Sequence, residues 1–158
     1  MVGASLALQL AAVLPPALSI CLVEGFPLPA PQAGGKQDYH TSFDARSTAL
    51  SYSSRLVYEK LQLWDELRQW LCPIETIHVS SRGRFGSSLL QAADYGWTAL
   101  GYVVENAWLG SALIQALYRQ GRVEIISPAR VAAATAEGQG MRLRLEGAAQ
   151  PGLETALL

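Results

Sequence analysis

A glycine at position 3, an Ala- and Leu-rich stretch behind it and an acid at position 24 have a spacing with chemical meaning. A helix opening at a glycine presents free backbone amides and the positive end of its dipole, which together favour an anion such as a phosphate. An acid at the tip of the next strand, about 20 residues on, can accept hydrogen bonds from ribose hydroxyls. Gly3 and Glu24 have that separation, and Glu24 follows the apolar run Ser19–Ile20–Cys21–Leu22–Val23. The pair reads as half of a dinucleotide-binding βαβ unit, whose first strand and first two glycines would precede Met1. On spacing alone a plain helix and strand, with Glu24 opening a loop, fits as well. Arg46 offers a fixed charge and forked donors suited to a phosphate, or a solvated or salt-bridged place at a helix start. Asn106 suits a helix N-cap, and Val131 suits ordinary strand packing.

The remaining reactive types point to little chemistry. His40 and His78 have no partners at metal-ligand spacing, so no metal site is expected. Cys21 and Cys72 read as packing residues of a reduced, cytoplasmic protein. The Asp65–Glu66 pair reads as a solvated helix face, and Trp64, Trp70, Trp97 and Trp108 as core or interdomain packing, with the alternative that one of them faces a substrate pocket. No Ser-His-Asp or Cys-His arrangement is present.

With 158 residues, half of them apolar and 16% charged, the chain has room for one domain with a real core. A net charge of -1 with scattered basic residues lacks the footprint of a nucleic-acid binder. The almost uncharged segment 1–23 has no Lys or Arg before Lys36 and is broken by Pro15–Pro16. Both features argue against a signal sequence or a membrane span.

The elements needed to position these residues follow from periodicity and breakers. Residues 3–14 predict a helix stopped by Pro15–Pro16, and residues 17–23 a buried strand of parallel-sheet type. Residues 25–42, with Pro27, Pro29, Pro31 and Gly34–Gly35, predict a long loop. Leu56, Leu61, Leu63, Leu67, Trp70 and Leu71 predict a helical region, with Ser53 or Ser54 as N-cap and Pro73 at its end. A strand is expected over Thr76–Ser80, and a turn over Arg82–Gly86. Asn106 opens a helix to about Gln120, closed by Gly121. Val123–Ile126 reads as a strand stopped by Pro128. Residues 131–136 and 141–146 read as a hairpin around Gly138–Gln139–Gly140, with another strand beginning near the C-terminus. The pattern is that of an α/β sheet domain.

Taken in order, several segments resemble one family. Met1–Val2–Gly3–Ala4–Ser5–Leu6–Ala7–Leu8 looks like the latter half of a glycine turn. Phe43–Asp44–Ala45–Arg46–Ser47–Thr48–Ala49–Leu50 looks like an arginine motif. Thr76–Ile77–His78–Val79–Ser80 with Arg82–Gly83, and Gly101–Tyr102–Val103–Val104–Glu105–Asn106 with Leu109 and Leu113, complete the set. The chain thereby resembles the FAD-dependent aromatic hydroxylases of the para-hydroxybenzoate hydroxylase-like superfamily. Within it, the ubiquinone-biosynthesis octaprenyl-methoxyphenol hydroxylase branch is the most similar.

The resemblance implies a partial Rossmann-like FAD-binding domain, βαβ with a parallel sheet, plus a β-hairpin. It implies that residues 1–158 are an incomplete FAD-binding domain, with 74–100 an excursion into the substrate domain. Gly3 would let the backbone approach the pyrophosphate, Glu24 would bind the adenosine ribose and Arg46 a phosphate or ribityl oxygen. Asn106 would lie near the flavin, and the main chain at Val131 would touch adenine. The implied activity is hydroxylation of a polyprenylated methoxyphenol with FAD, NAD(P)H and dioxygen. The isoprenoid tail implies peripheral contact with the inner membrane or with a ubiquinone-biosynthesis complex. An Asp-Gly motif and most of the substrate domain would follow Leu158, so the chain alone is expected to be inactive. A same-fold flavoprotein acting on another aromatic or an amine, and a noncatalytic truncated remnant, stay open.

Overall fold

The computed structural model describes residues 1–29, 46–83 and 85–156. Phe43, Asp44 and Ala45 of the arginine motif, His40, and the greater part of the expected 25–42 loop lie outside the described residues. The chain mixes helix and strand. In order come α1 (Val2–Val13), β1 (Ile20–Val23), β2 (Ser47–Ser51), α2 (Tyr52–Lys60) and α3 (Trp64–Leu67). Next are β3 (Cys72–Ile74), β4 (Thr76–Ser80), β5 (Ser87–Gln91), β6 (Gly101–Glu105) and α4 (Asn106–Gln120). The last are β7 (Val123–Ile126), β8 (Arg130–Glu137), β9 (Gly140–Glu146) and β10 (Gly152–Thr155). They divide into two compact units, one drawn from residues 46–113 and the other from 2–29 and 114–156.

In the second of these units, α1 is built from strong helix formers and packs against β1 and β7. Its buried residues Ala4, Ala7, Leu8 and Ala11 recur at the i, i+3, i+4, i+7 spacing of one helix face. The helix stops at the two prolines, as expected. The strand, however, starts at Ile20 rather than at residue 17. The proline pair and a turn closed by Leu18 N–H on the Pro15 carbonyl (3.0 Å) take up the intervening residues. β1 pairs with β7 in parallel, from Ile20↔Val123 to Val23↔Ile126. The helix C-terminus has an unexpected partner in Arg122, whose guanidinium donates to the carbonyls of Ala11, Leu14 and Pro15. These are carbonyls that helix geometry leaves without backbone donors. β8, β9 and β10 form an antiparallel meander in which Leu143 and Leu145 are buried. Gly138 holds φ +58° in its first turn.

In the other unit, β2 and β3 flank β6 in an antiparallel sheet. Its core comprises Leu50, Tyr58, Leu63, Leu67, Val104, Leu109 and Leu113. The single helical region expected up to Pro73 is instead two helices, and the cap is Ser51, whose Oγ accepts from Ser54 N–H at 3.2 Å. The break has a mechanism. Gln62 takes a left-handed φ of 58°, so that its N–H reaches the Glu59 carbonyl (3.0 Å) and Leu63 N–H reaches that of Tyr58 (2.9 Å). That pair of bonds is a Schellman closure, usually made around glycine. Pro73 does not end a helix but sits in β3, an edge strand, where a missing N–H is tolerated. On that edge Cys72 is exposed, against the expectation that it packs.

β4 and β5 form a two-stranded ribbon with both strands exposed. α4 begins at Asn106 and ends at Gln120, with Gly121 at φ +67°. Among the described residues no helix is long and apolar enough to cross a membrane.

Candidate functional site

The C-terminal ends of β1 and β7 are stitched together beyond their ladder. Glu24 N–H donates to the Ile126 carbonyl (3.0 Å), and the Glu24 carbonyl accepts from Ala129 N–H (2.8 Å). Ser127 Oγ donates to the Phe26 carbonyl (2.8 Å) and accepts from Leu28 N–H (3.0 Å). These bonds fix the segment after β1 against the segment entering β8. The Glu24 carboxylate accepts from Phe26 N–H at 3.0 Å, which turns the chain and leaves its second oxygen unpartnered among the described residues. Glu24 is half-buried at this tip.

Gly3 lies in the first turn of α1, exposed, with its Cα hydrogen directed at β1. A Cβ built there would meet Leu22 Cδ1 at 3.4 Å, so the start of the helix lies close against the strand that carries Glu24. The first-turn N–H groups of a helix have no intrahelical acceptors and attract anions. The first turn of α1 and the carboxylate at the tip of β1 therefore belong to one structural unit. In open α/β sheets that end of the strands is where ligands bind.

Val131 is the second residue of β8, which is an edge strand of its sheet. It opposes Leu145, is 43% exposed, and precedes a bulge that carries the pairing on to Ala133. Ahead of it, Arg130 extends over the Phe26 ring, with Cζ 5.8 Å from the ring centroid.

Arg46 and Asn106 belong to the other unit. Arg46 is exposed, and its carbonyl accepts from Asn106 N–H at 3.0 Å, which brings the two residues together at the end of the β2–β6 ladder. Thr48 Oγ1 donates to Asn106 Oδ1 at 2.6 Å and so sets the orientation of that amide. Nearby in sequence, Arg55 donates to Glu59 (2.7 Å) and to the Tyr102 hydroxyl (3.0 Å). Its guanidinium also lies within 6 Å of the ring centroids of Tyr52, Trp64 and Tyr102. The Glu59 hydrogen bond is the main cause holding the Arg55 pKa above its ordinary value. Trp70 and Trp108 stack face to face with centroids 3.7 Å apart, and Trp70 stays 42% exposed.

No protein-family model matches the chain. Solved structures do. The p-nitrophenol 4-monooxygenase of Pseudomonas putida superposes with a TM-score of 0.63 at 12% identity, over 99% of this chain and 35% of that one. A flavin-dependent monooxygenase in complex with FAD and substrate gives 0.66 at 11% identity, over 98% of this chain and 27% of that one. The Diels-Alderase of pyrroindomycin biosynthesis gives 0.68 at 16% identity, over 99% and 29%. The fold is that of flavin-dependent monooxygenases. The chain spans about a third or less of the length of these proteins.

Of the five residues singled out from sequence, Gly3, Glu24 and Val131 fall in one unit, and Arg46 and Asn106 in the other. Sequence reasoning passed over Ser127, Phe26, Arg130 and Thr48. Thr48 lay inside the arginine motif and could have been noticed as a hydroxyl two residues beyond Arg46. The other three gain their meaning only from the β1–β7 pairing.

Proposed function

We propose that this chain is part of an FAD-dependent aromatic-ring hydroxylase, and that the tip of β1 with the start of α1 holds the adenosine diphosphate half of FAD. The observation carrying this is Gly3 in the first turn of α1, packed on the parallel strand that ends in Glu24. The donors and acceptor present suit the group: first-turn amides for the pyrophosphate, and a carboxylate oxygen without a partner among the described residues for a ribose hydroxyl. Main-chain groups at Val131 would meet the adenine. Arg46, and Asn106 as oriented by Thr48, would serve the phosphate or ribityl oxygens and the flavin.

Bound FAD, reduced by NAD(P)H, would supply the activation of dioxygen that ring hydroxylation requires. The chain's own part is to bind, orient and exclude water. Residues 74–100 would be an excursion into the substrate domain. The proposed substrate is a polyprenylated methoxyphenol of ubiquinone biosynthesis, met at the cytoplasmic surface of the inner membrane. One observation favours a second reading, a same-fold flavoprotein with different chemistry: a protein matching with a TM-score of 0.68 is a Diels-Alderase.

Titrating FAD into the 158-residue chain and following flavin fluorescence tests the cofactor reading. Saturable binding, weakened about tenfold or more in Glu24→Ala by loss of a charged hydrogen-bond acceptor, is expected. Binding indifferent to Glu24 would sink it. Incubating the protein carrying the whole catalytic region with NAD(P)H and either polyprenyl or simple phenols separates the two substrate readings by which hydroxylated product appears.

A further inference from the structure

We infer that Arg130 is a nucleotide-recognition residue, whose guanidinium lies along the adenine of the ligand whose ribose Glu24 binds. This rests on reading the β1 tip as a nucleotide site. Three observations place the side chain. A Cβ at residue 25 would come 3.2 Å from Arg130 Nε and 3.4 Å from its Cγ, so the arginine runs through a lane that exists because Gly25 has no side chain. Beyond that lane the guanidinium is backed by the Phe26 ring, itself 60% exposed. The backbone beneath is held by Ala129 N–H on the Glu24 carbonyl (2.8 Å) and by Ser127 Oγ on the Phe26 carbonyl (2.8 Å), with Ala129 buried.

The charges at this tip are not spent on each other. Glu24 and Arg130 are tied through adjoining backbone, yet they form no ion pair, and the Arg130 guanidinium has no hydrogen-bond acceptor among the described residues. A lone surface arginine would be expected to extend into water. This one, though exposed, runs past the Gly25 backbone and holds its guanidinium over the Phe26 ring, with its donors unengaged among the described residues. A planar cation stacks on a purine face, while a carboxylate beside it accepts from a ribose diol. The same carboxylate repels a phosphate on the 2′ oxygen. The ligand class is therefore an adenine nucleotide with a free 2′-hydroxyl. The alternative use of an arginine at such a tip, as a clamp for a 2′-phosphate, becomes an outcome of the test.

The test is calorimetric titration of the full chain with ADP and with 2′,5′-ADP, in wild type, Arg130→Lys, Arg130→Met, Gly25→Val and Glu24→Ala. Wild type should prefer ADP. Both Arg130 variants should weaken ADP about tenfold, with lysine failing to rescue because it keeps the charge and loses the plane. Gly25→Val should weaken ADP similarly by displacing the side chain, and should add nothing in the Arg130→Met background. Unchanged circular dichroism melts show that each variant is folded. ADP binding that depends on Glu24 but not on Arg130 would overturn this inference and leave the nucleotide site standing. A preference for 2′,5′-ADP that vanishes in Arg130→Met would overturn it in favour of the clamp. No binding of ADP or FAD to wild type would overturn the site itself, and Arg130 with it.

Discussion

Gly101 in β6 leaves no room for a side chain against β2: a Cβ there would lie 2.6 Å from the Leu50 carbonyl oxygen, a backbone atom that cannot swing aside. Gly101→Ala should therefore destabilise the protein by about 1–3 kcal/mol, as overpacking does in cores, and lower the urea midpoint. Cys21 and Cys72 should differ in reactivity for a related reason of place. Burial, and secondarily the charge of Glu124, raise the Cys21 pKa, while Cys72 is exposed on β3. A raised pKa means less thiolate at a given pH. At pH 8 iodoacetamide should modify Cys72 first, with peptide mass mapping as the readout, and Glu124→Gln should speed Cys21. At this scale the acid at the end of a strand was legible in the sequence, because the Gly3–Glu24 interval mirrors a physical distance along helix and strand. Arg130 was not legible. Its side chain takes its direction from Gly25 and Phe26, about a hundred residues earlier, and no local pattern records that.

Elements repeat the lesson with different weights. The helix Asn106–Gln120, the strand Val123–Ile126 and the hairpin around Gly138 were legible, since each is marked by a cap, a proline or a glycine turn together with its period. β2 and β3 were not, because Ser47–Ser51 carries a single large apolar residue, Leu50, and Pro73 carries a helix-stop signal that the sheet edge absorbs. The α2–α3 break was also missed, since Gln62 has no bias toward positive φ. Replacing it should show what the break stores. Gln62→Gly should raise stability by about 1 kcal/mol, the left-handed penalty of an ordinary side chain, seen as a higher melting temperature. Arg122 acts in the opposite sense. Its three bonds to carbonyls at the end of α1 also place a cation against the negative end of the helix dipole. Arg122→Met should lower stability by about 1–3 kcal/mol and speed amide exchange in the last turn of α1.

At the scale of the whole molecule, the ribbon of β4 and β5 stands out, because Val79 and Leu89 are each 54% exposed. Val79→Lys should change stability by less than about 0.5 kcal/mol while slowing aggregation measured by light scattering. The parallel pair of β1 and β7 has a consequence in time. Ile20 waits for Val123, about a hundred residues later in the chain, and synthesis at about 5–20 residues per second makes that interval roughly 5–20 s. The β4–β5 and β8–β9 hairpins can zip within microseconds of leaving the ribosome. The segment bearing Glu24 emerges ahead of its mate, apolar and unpaired with it. Throughout that interval it is a natural client for chaperones, and the tip it completes cannot assemble until β7 has emerged.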